Sequence, residues 1–363
     1  MQFKPLTGQV FSSNPRMEVF CRFLCCLATV AMTVLMYVYW QPLRSPEVAY
    51  PLVSLTITNR YWAGAFRVIT SLGSEGFFLV VFSVVYWSVN KALGFWGFVL
   101  MPLSILVTSE IPKDITRLPR PDVRGVAVPT YTFPSGHASG AAVMWGYAAI
   151  IVRKTWFWAA ALAVVALVGF SRITLGYHFP GDVLGGLVAG ILFLAVSLWL
   201  GLRVDRESLT RRLPWSVLLT LAFVVPFLLA FMPVKVAPGL LGYVAGAGVG
   251  YLLQKRYVRF RLDGGLVQHA LRGLIGLLPV PMLLLGLTRW IPMEWAAVKF
   301  LQYFLTTFWI TFLAPLVFGR LGLMVVGEEA ARAERAARGT AESAAGARED
   351  WRSAGGTWTT ERE

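Results

Sequence analysis

The sequence predicts an all-α integral membrane protein, a polytopic helical bundle. Hydrophobic residues make up 56% of its 363 residues, and charged residues make up only 14%. The apolar residues occur in runs of about 20, the length that an α-helix needs to cross the hydrocarbon core of a bilayer. We therefore expect a six-helix membrane core followed by about four extra C-terminal transmembrane helices.

The apolar runs predict about ten spans in chain order. They lie at 18–40, 75–91, 93–110, 137–152, 155–171, 181–201, 215–232, 236–253, 266–287 and 295–318. The first run is too long for the core of a signal peptide and lacks a small-x-small cleavage site, so we expect it to be retained. The stretch 48–74 has aromatic residues among polar ones, which is typical of a segment at the membrane surface.

The spans divide the chain into four predicted regions. Residues 1–17 are expected to form a cytoplasmic N-terminus and 18–204 the six-helix core. Residues 205–325 are expected to form the additional four-helix region, and 326–363 a disordered polar tail. The tail is rich in small and charged residues, and such a composition buries too little apolar surface to fold.

Basic residues predict the orientation of the spans. The formal net charge is +14, and no nucleic-acid-binding motif accompanies it. Lys and Arg are concentrated in the loops after the second, fourth, sixth and eighth spans. By the positive-inside rule, these loops and both termini are cytoplasmic, and the protein is expected in the cell (inner) membrane. Three polar motifs then emerge together on the extracytoplasmic face.

A small-residue stripe lies in the eighth span. Gly242, Gly246 and Gly250 recur every four residues, so they share one face of a helix. Small residues allow two membrane helices to approach closely. We interpret this stripe as a packing surface.

The three motifs occupy 113–121, 134–137 and 171–182, at the edges of apolar runs. In order, they spell K-x6-R-P, P-S-G-H and S-R-x5-H-x3-D. Together they supply three cations, two imidazoles and a carboxylate. Phosphoryl transfer needs neutralised oxygens, a nucleophile and a proton for the leaving group, and this set contains a candidate for each.

The first motif supplies two cations. Lys113 and Arg120 are seven residues apart, so they would share one face of a continuous helix. Pro119 and Pro121 are expected to stop the helix and leave a stiff loop around Arg120. Taken alone, the pair is also typical of anchors at the level of the lipid headgroups.

The second motif stands where the fourth span begins. Gly136 lets an anion approach the backbone closely, and the Ser135 hydroxyl and the free N–H groups of the helix start can bind it. A protonated His137 can donate to a leaving oxygen. The alternative is an ordinary Ser-capped helix start with a histidine at the membrane surface.

The third motif joins the fifth and sixth spans. Arg172 closes one span, and His178 precedes the next, with Pro180 in its first turn. Asp182 lies four residues after His178, a spacing at which its carboxylate can hold the proton of one ring nitrogen and leave the other as a nucleophile. Capping of a helix end is the alternative for such a pair in isolation.

The order and spacing of these residues resemble the signature of the type-2 phosphatidic acid phosphatase family, which includes lipid phosphate phosphatases, glucose-6-phosphatase and vanadium haloperoxidases. The resemblance covers about residues 50–200. Residues 113–121 also resemble sphingosine-1-phosphate phosphatases, although those typically carry Thr where this chain has Gly136.

The resemblance implies a role for each motif residue. His178 is implied as the nucleophile that forms a phosphohistidine, Asp182 as the group that orients it, and His137 as the general acid. The implied phosphate ligands are Lys113, Arg120, Ser135, Gly136 and Arg172. No metal and no cofactor are implied.

The function expected from these motifs is metal-independent hydrolysis of phosphomonoester or pyrophosphate groups on membrane lipids. The expected substrate is an amphiphilic phosphate, a lipid phosphate or polyprenyl pyrophosphate, presented among membrane lipids. One alternative is a lipid phosphotransferase with the same site, and another is a lipid transporter or binding protein with a vestigial phosphatase core. The sequence leaves the substrate, the oligomeric state and the role of the last four spans open.

Overall fold

The computed structural model describes residues 40–45, 51–53, 59–121, 130–203, 213–231, 237–290 and 296–328. This part of the chain is almost entirely helical and contains no strand, so the all-α prediction is confirmed. After a short turn, Trp40–Leu43, the helices of the first half are α1 (Arg60–Ser71), α2 (Glu75–Ser88), α3 (Lys91–Thr116), α4 (Gly136–Val152), α5 (Thr155–Thr174) and α6 (Pro180–Arg203). Those of the second half are α7 (Trp215–Ala230), α8 (Pro238–Leu253), α9 (Leu266–Leu277), α10 (Pro279–Trp290) and α11 (Ala296–Arg320).

Several of these helices can cross a membrane. Within the described residues, five helices are long and apolar enough, or up to six if the bent pair α1 and α2 counts as one span. The apolar helices α4 and α7 are shorter, with 17 and 16 residues, and are not counted among these, which is one reason why the number is below the predicted ten. Every predicted span from 75–91 onward overlaps a helix. The predicted span 18–40, apart from Trp40, lies outside the described residues. The predicted N-terminal region 1–17 and nearly all of the predicted tail 326–363 also lie outside them.

Polar side chains set the starts of the first helices. The Asn59 side chain accepts a hydrogen bond of 2.9 Å from the Tyr61 N–H, and the Ser74 hydroxyl accepts one of 3.3 Å from the Phe77 N–H. Such caps satisfy backbone donors that have no partner inside the helix. Between the two starts, α1 and α2 meet at an angle of 47°. The expectation that 48–74 lies at the membrane surface stays a prediction.

Gly73 lies at the bend between α1 and α2, against the start of α4. A Cβ atom there would lie 3.0 Å from the His137 carbonyl oxygen and 2.7 Å from Cγ1 of Val168. Only a glycine fits without displacing one of these neighbours. This close approach brings the end of α1 beside the residues that begin α4.

The helix α3 carries the first motif and ends where the sequence predicts a stop. It contains a π-helical turn, Leu106–Glu110, and its last regular residue is Thr116. Arg117 then adopts a left-handed conformation with φ of 49°, and the chain continues without helical structure through Arg120. Lys113 is therefore on the helix, and Arg120 is on the loop that the two prolines make stiff.

The helix α6 packs closely on α4 through two glycines. A Cβ at Gly190 would lie 2.7 Å from the Ser139 carbonyl oxygen, and one at Gly186 would overlap the Ser135 carbonyl oxygen. The contact leaves no room for side chains between these helix faces. It places the start of α6, which holds Asp182, against the start of α4.

The glycine stripe of α8 packs against α11. Cβ atoms at Gly242 and Gly246 would overlap the carbonyl oxygens of Phe300 and Phe304, and one at Gly250 would overlap the Thr311 hydroxyl. The predicted role of this stripe in packing is confirmed.

The C-terminal helices are joined to the first half by buried hydrogen bonds. The Trp87 indole donates to the Ile310 carbonyl at 2.9 Å, and the Tyr86 hydroxyl donates to the Thr311 carbonyl at 3.1 Å. The Arg272 guanidinium, fully buried on α9, donates to the Trp87 carbonyl at 3.2 Å. Buried donors of this kind are costly to leave unpaired, so the two halves are held in a fixed arrangement.

Candidate active site

A cavity of about 180 Å³ lies where the three motif stretches meet. Its lining residues are Gly73, Glu75, Ile105, Glu110, Lys113, Arg120, Gly136, His137, Arg172 and His178. Of the site residues predicted from the sequence, only Ser135 and Asp182 do not line it, and both contact residues that adjoin it. The cavity combines three cationic side chains with two imidazoles, which suits the binding of a compact anion.

His178 lies at the cavity wall with its ring almost completely buried. Its Nδ1 atom is 3.8 Å from Oδ2 of Asp182, which is too long for a direct hydrogen bond. The hydroxyl of Thr132 lies between them, 3.0 Å from Nδ1 and 2.5 Å from Oδ2. The expected pairing of imidazole and carboxylate is therefore made through a third side chain.

Asp182 is completely buried and is surrounded by donors. Besides Thr132, its Oδ2 atom accepts a hydrogen bond of 2.8 Å from the Phe179 N–H. Its Oδ1 atom faces Nε of Arg44 at 3.3 Å, an ion pair between the segment after Trp40–Leu43 and the start of α6. Two hydrogen-bond donors thus contact Oδ2, and the Arg44 cation lies beside Oδ1.

The second motif forms the start of α4. Ser135 is the N-cap residue, but its side chain makes no capping hydrogen bond. Its hydroxyl is buried and has no hydrogen-bond partner among the described residues. The alternative of an ordinary Ser-capped helix start therefore does not describe this serine, because the oxygen that would cap the helix is unused. A buried hydroxyl without a partner is available to a ligand.

Gly136 keeps the floor of the cavity open. A Cβ atom at this position would lie 2.8 Å from the Ser109 hydroxyl and 4.0 Å from the Lys113 ammonium. The absence of a side chain thus lets an anion reach the N–H groups at the start of α4. His137 follows in the first turn and lines the same cavity.

Arg172, in the last turn of α5, points its guanidinium into the cavity. Its Nη1 atom donates to the Thr70 hydroxyl at 3.2 Å, and the Tyr177 ring lies 4.4 Å from its Cζ atom. Its Nε atom is buried and lacks a hydrogen-bond partner in the described part of the chain. The arginine is thus held in one orientation while a donor stays available.

Arg120 reaches the cavity from the loop after α3. Its Nε atom donates to the Thr130 hydroxyl at 2.8 Å, and its Nη1 atom donates to the Tyr177 carbonyl at 3.0 Å. Burial lowers the pKa of the guanidinium from its usual value, an effect that Asp182 opposes. It remains a cation at physiological pH.

Lys113 is the third cation of the cavity, and it has an acidic neighbour. Its ammonium lies 2.9 Å from Oε1 of Glu110, and Glu75 also lines the cavity. The Glu110 carboxylate therefore offsets part of the positive charge before any substrate enters.

The pKa of His178 is shifted by its surroundings. Burial, together with the nearby cations Arg172 and Arg120, lowers this pKa from 6.5 to about 4, while Asp182 opposes the shift. A buried imidazole favours its uncharged form because charge is costly away from water. His178 is consequently neutral at physiological pH, the state in which a ring nitrogen carries a free lone pair.

Among the described residues, no group of three or more His, Cys, Asp or Glu side chains is placed to hold a metal ion. The expectation of a reaction without a metal or cofactor stays a prediction.

Comparison with known families identifies the chain. The sequence model of the PAP2 superfamily matches residues 94–206, which include all three motifs. A second model, the transmembrane extension of PAP2 superfamily phosphatases, matches residues 238–328. The chain belongs to the PAP2 superfamily. The first match includes α4 to α6, and the second includes α8 to α11, so this PAP2 protein is a multi-pass membrane protein of a phosphatase family.

Several phosphatases are similar to this PAP2 protein. Phosphatidylglycerophosphatase B of Bacillus subtilis is 26% identical over 168 residues, which cover 43% of this chain and 83% of that protein. Sphingosine-1-phosphate phosphatase 2 of Mus musculus is 25% identical over 48% of this chain, and the match spans only 51% of the mouse protein. Undecaprenyl-diphosphatase of Sulfolobus acidocaldarius is 34% identical over 74 residues, which cover 19% of this chain and 34% of that protein.

One solved structure is also similar to this chain, a crystal structure of the transmembrane PAP2 type phosphatidylglycerolphosphate phosphatase from Bacillus subtilis. The match covers 49% of this chain and 98% of that chain, with 21% sequence identity and a TM-score of 0.40.

The structure adds residues to the PAP2 site that the sequence did not indicate. Thr132 and Arg44 contact Asp182, Thr70 contacts Arg172, and Glu110 contacts Lys113. Only Glu110 had a local signal, because it lies one helical turn before Lys113. The contacts of Thr132, Arg44 and Thr70 join segments distant in sequence, and no spacing rule connects them.

Proposed function

We propose that this PAP2 protein is a metal-independent phosphatase that removes phosphomonoester or pyrophosphate groups from membrane lipids through a phosphohistidine intermediate. The observation that carries the proposal is that His178 shares one cavity with Arg120 and Arg172. A neutral imidazole beside two guanidinium groups is suited to attack a phosphoryl group whose oxygens those guanidinium groups hold.

In the first step, Nε2 of His178 attacks phosphorus. The bond between phosphorus and the leaving oxygen breaks, its electron pair stays on that oxygen, and His137 supplies the proton. Arg120, Arg172 and Lys113 neutralise the charge on the remaining phosphoryl oxygens. The Ser135 hydroxyl and the N–H of Gly136 complete the set of donors.

In the second step, water attacks the phosphohistidine. His137, now neutral, accepts a proton from the water as the new bond to phosphorus forms. The bond between phosphorus and Nε2 breaks, and its electron pair returns to the His178 ring. Over both steps, a phosphomonoester gives the dephosphorylated lipid and inorganic phosphate, and a lipid pyrophosphate gives a lipid monophosphate and inorganic phosphate. The enzyme returns to its starting state.

The proposed substrates are amphiphilic phosphates in the membrane. Two observations support this class: the cavity belongs to a protein with several membrane-spanning helices, and similar proteins carry the names phosphatidylglycerophosphatase, sphingosine-1-phosphate phosphatase and undecaprenyl-diphosphatase. A cavity of about 180 Å³ suits a phosphate group and leaves the lipid tail in the bilayer.

The test is phosphate release by the purified protein from a panel of lipids in the presence of a metal chelator. The panel contains phosphatidic acid, phosphatidylglycerol phosphate, a sphingoid phosphate and undecaprenyl pyrophosphate. We expect His178→Ala to abolish release and His269→Gln, at the remaining histidine, to retain it. Release that persists in His178→Ala, or that requires added Mg²⁺ or Zn²⁺, would overturn the proposal.

The covalent intermediate and the fate of the phosphoryl group have their own measurement. After rapid mixing with a ³²P-labelled substrate, an alkaline quench should retain label on the wild-type protein and none on His178→Ala. Analysis of the lipid products then separates water from a lipid acceptor. A newly phosphorylated lipid in place of free phosphate would favour the phosphotransferase instead.

We also propose that the cavity opens on the extracytoplasmic face of the cell membrane and that both termini are cytoplasmic, from the distribution of basic loops. Arg117, near the cavity, and Lys255, after α8, are both exposed. In intact cells and with the native cysteines replaced, a membrane-impermeant maleimide should label Arg117→Cys but not Lys255→Cys. The reverse labelling would contradict this orientation.

A further inference from the structure

Thr132 occupies the space between the two residues that are expected to act as a pair. Its hydroxyl oxygen lies 3.0 Å from Nδ1 of His178 and 2.5 Å from Oδ2 of Asp182, and the residue is completely buried. The direct distance between the imidazole and the carboxylate is 3.8 Å. The hydrogen bonds that link the imidazole to the carboxylate therefore pass through this hydroxyl.

Donor and acceptor roles in this chain of contacts follow from the number of protons. A threonine hydroxyl has one hydrogen, and an ionised carboxylate can only accept. Thr132 must therefore donate to Asp182, and towards His178 it can only accept. The hydrogen bond to the ring then requires the proton to be on Nδ1, which leaves the lone pair on Nε2, the atom that acts as nucleophile in the proposed function.

The surroundings hold this direction in place. Phe179 N–H donates to the same carboxylate oxygen at 2.8 Å, and Arg44 faces the other oxygen at 3.3 Å. With a backbone donor on Oδ2 and the Arg44 cation beside Oδ1, the carboxylate is held as the acceptor of the threonine hydrogen bond. The Thr132 N–H donates to the Leu118 carbonyl at 2.9 Å, so its backbone is also held.

We propose that Thr132 is a positioning residue that sets the tautomer of His178, and that Asp182 acts on the imidazole through it. This inference rests on the proposed function in taking Nε2 as the attacking atom. When Nε2 bonds to phosphorus and the leaving oxygen takes the electron pair of the broken bond, the ring becomes cationic and keeps its proton on Nδ1. The Thr132 oxygen stabilises that proton, and its own O–H continues to donate to Asp182.

The decisive measurement is the tautomer of His178, because it does not require turnover. The chain has only three histidines, so ¹⁵N-histidine labelling gives three ring systems, and His178→Ala identifies the one of interest. We expect Nδ1 to carry the proton in the wild-type protein. In Thr132→Val, which keeps the shape but lacks the hydroxyl, the ratio of Nδ1–H to Nε2–H should fall by about tenfold, the equilibrium effect of one hydrogen bond.

Kinetics provide the second measurement. Thr132→Val should lower kcat by about 100-fold and change KM by less than about threefold, because the phosphate ligands remain. Thr132→Ser, which restores the hydroxyl, should recover kcat to within about fivefold and restore the Nδ1–H tautomer.

Thr306 provides a matched control. It is also completely buried, but its hydroxyl donates to the Gln302 carbonyl of its own helix at 2.8 Å. Thr306→Val should leave the His178 tautomer unchanged. If Thr132→Val keeps the wild-type tautomer, the inference is wrong whatever its activity. If the wild-type protein releases no phosphate while the tautomer shifts as expected, the proposed function fails and the positioning role of Thr132 stands.

Discussion

The ammonium of Lys113 lies 2.9 Å from the carboxylate of Glu110, one turn earlier on α3. Before an anion can use Lys113 fully, it must compete with this carboxylate. We therefore expect Glu110→Gln to strengthen inhibition by inorganic phosphate by about three- to tenfold, and more at low ionic strength. The prediction is checked by measuring the competitive inhibition constant of inorganic phosphate for the wild-type protein and for Glu110→Gln at two salt concentrations. Asp263→Asn removes a carboxylate paired with Arg261 instead and should have no effect; weaker inhibition in Glu110→Gln would contradict the prediction.

The pH dependence follows from the neutral state of His178. Because its pKa is lowered from 6.5 to about 4, mainly by burial, the ring stays uncharged until the pH falls towards 4. If His178 is the nucleophile, protonation of the free enzyme should reduce kcat/KM only near that pH. A titration of the His178 ring by NMR locates the same pKa without interference from substrate ionisation. A ring that titrates near 6.5 would contradict the prediction.

The same shift affects stability. Between pH 6.5 and 4, the unfolded chain binds a proton at residue 178 and the folded protein does not, so His178 makes the folded state less stable as the pH falls through this window. His178→Ala should therefore reduce the loss of apparent Tm between these two pH values, whereas His269→Gln serves as the comparison.

The role of His137 predicts a dependence on the leaving group. If His137 supplies the proton to the leaving oxygen, His137→Ala should slow alkyl phosphates by about 10²- to 10⁴-fold and should slow pyrophosphates and aryl phosphates least. The measurement is kcat for a series of substrates of increasing leaving-group acidity. An equal loss across the series would indicate that His137 binds phosphate without transferring a proton.

Gly136 and Ser109 offer a test of space at the floor of the cavity. Gly136 is not among the glycines with positive φ, so the obstacle to an alanine is Ser109, whose hydroxyl would lie 2.8 Å and whose Cβ would lie 3.3 Å from the new Cβ. We expect Gly136→Ala to raise KM by about tenfold and Ser109→Ala in the same chain to recover part of the loss. A double variant no better than Gly136→Ala alone would show that the glycine has another role.

The packing of α8 on α11 predicts a stability difference between two glycines. A Cβ at Gly246 would overlap the Phe304 carbonyl oxygen, whereas one at Gly273 on α9 has no neighbour within 4 Å. Gly246→Ala should reduce the free energy of unfolding by about 1–3 kcal/mol, and Gly273→Ala should leave it unchanged or slightly increase it. Apparent Tm values in one detergent compare the two variants, and equal values would contradict the prediction.

The helices were largely predictable because the apolar runs that form them are long. The predicted helix boundaries were wrong where polar residues lie at the end of a helix without facing solvent. The predicted span 93–110 is part of a helix that continues to Thr116, since Glu110 and Lys113 line a polar cavity inside the protein. Hydropathy cannot distinguish such a cavity from a loop, because both are polar.

The candidate site was predictable in its residue types and order, and less so in its contacts. The spacing of four between His178 and Asp182 suggested direct contact, yet the Thr132 hydroxyl lies between them. Arg44 reaches Asp182 from a segment far along the chain. Contacts of this kind depend on how helices pack, and a single sequence does not encode them in any local period.

The hydrogen bonds from Trp87 and Arg272 across the two halves constrain protein engineering. In a shortened chain that stops before α7, the Trp87 indole would lose the Ile310 carbonyl that accepts its hydrogen bond and would become an orphaned polar group in an apolar setting, so such a chain is not expected to persist as an independent catalyst. A chimera that keeps only the first half must therefore replace Trp87 by a residue whose side chain donates no hydrogen bond.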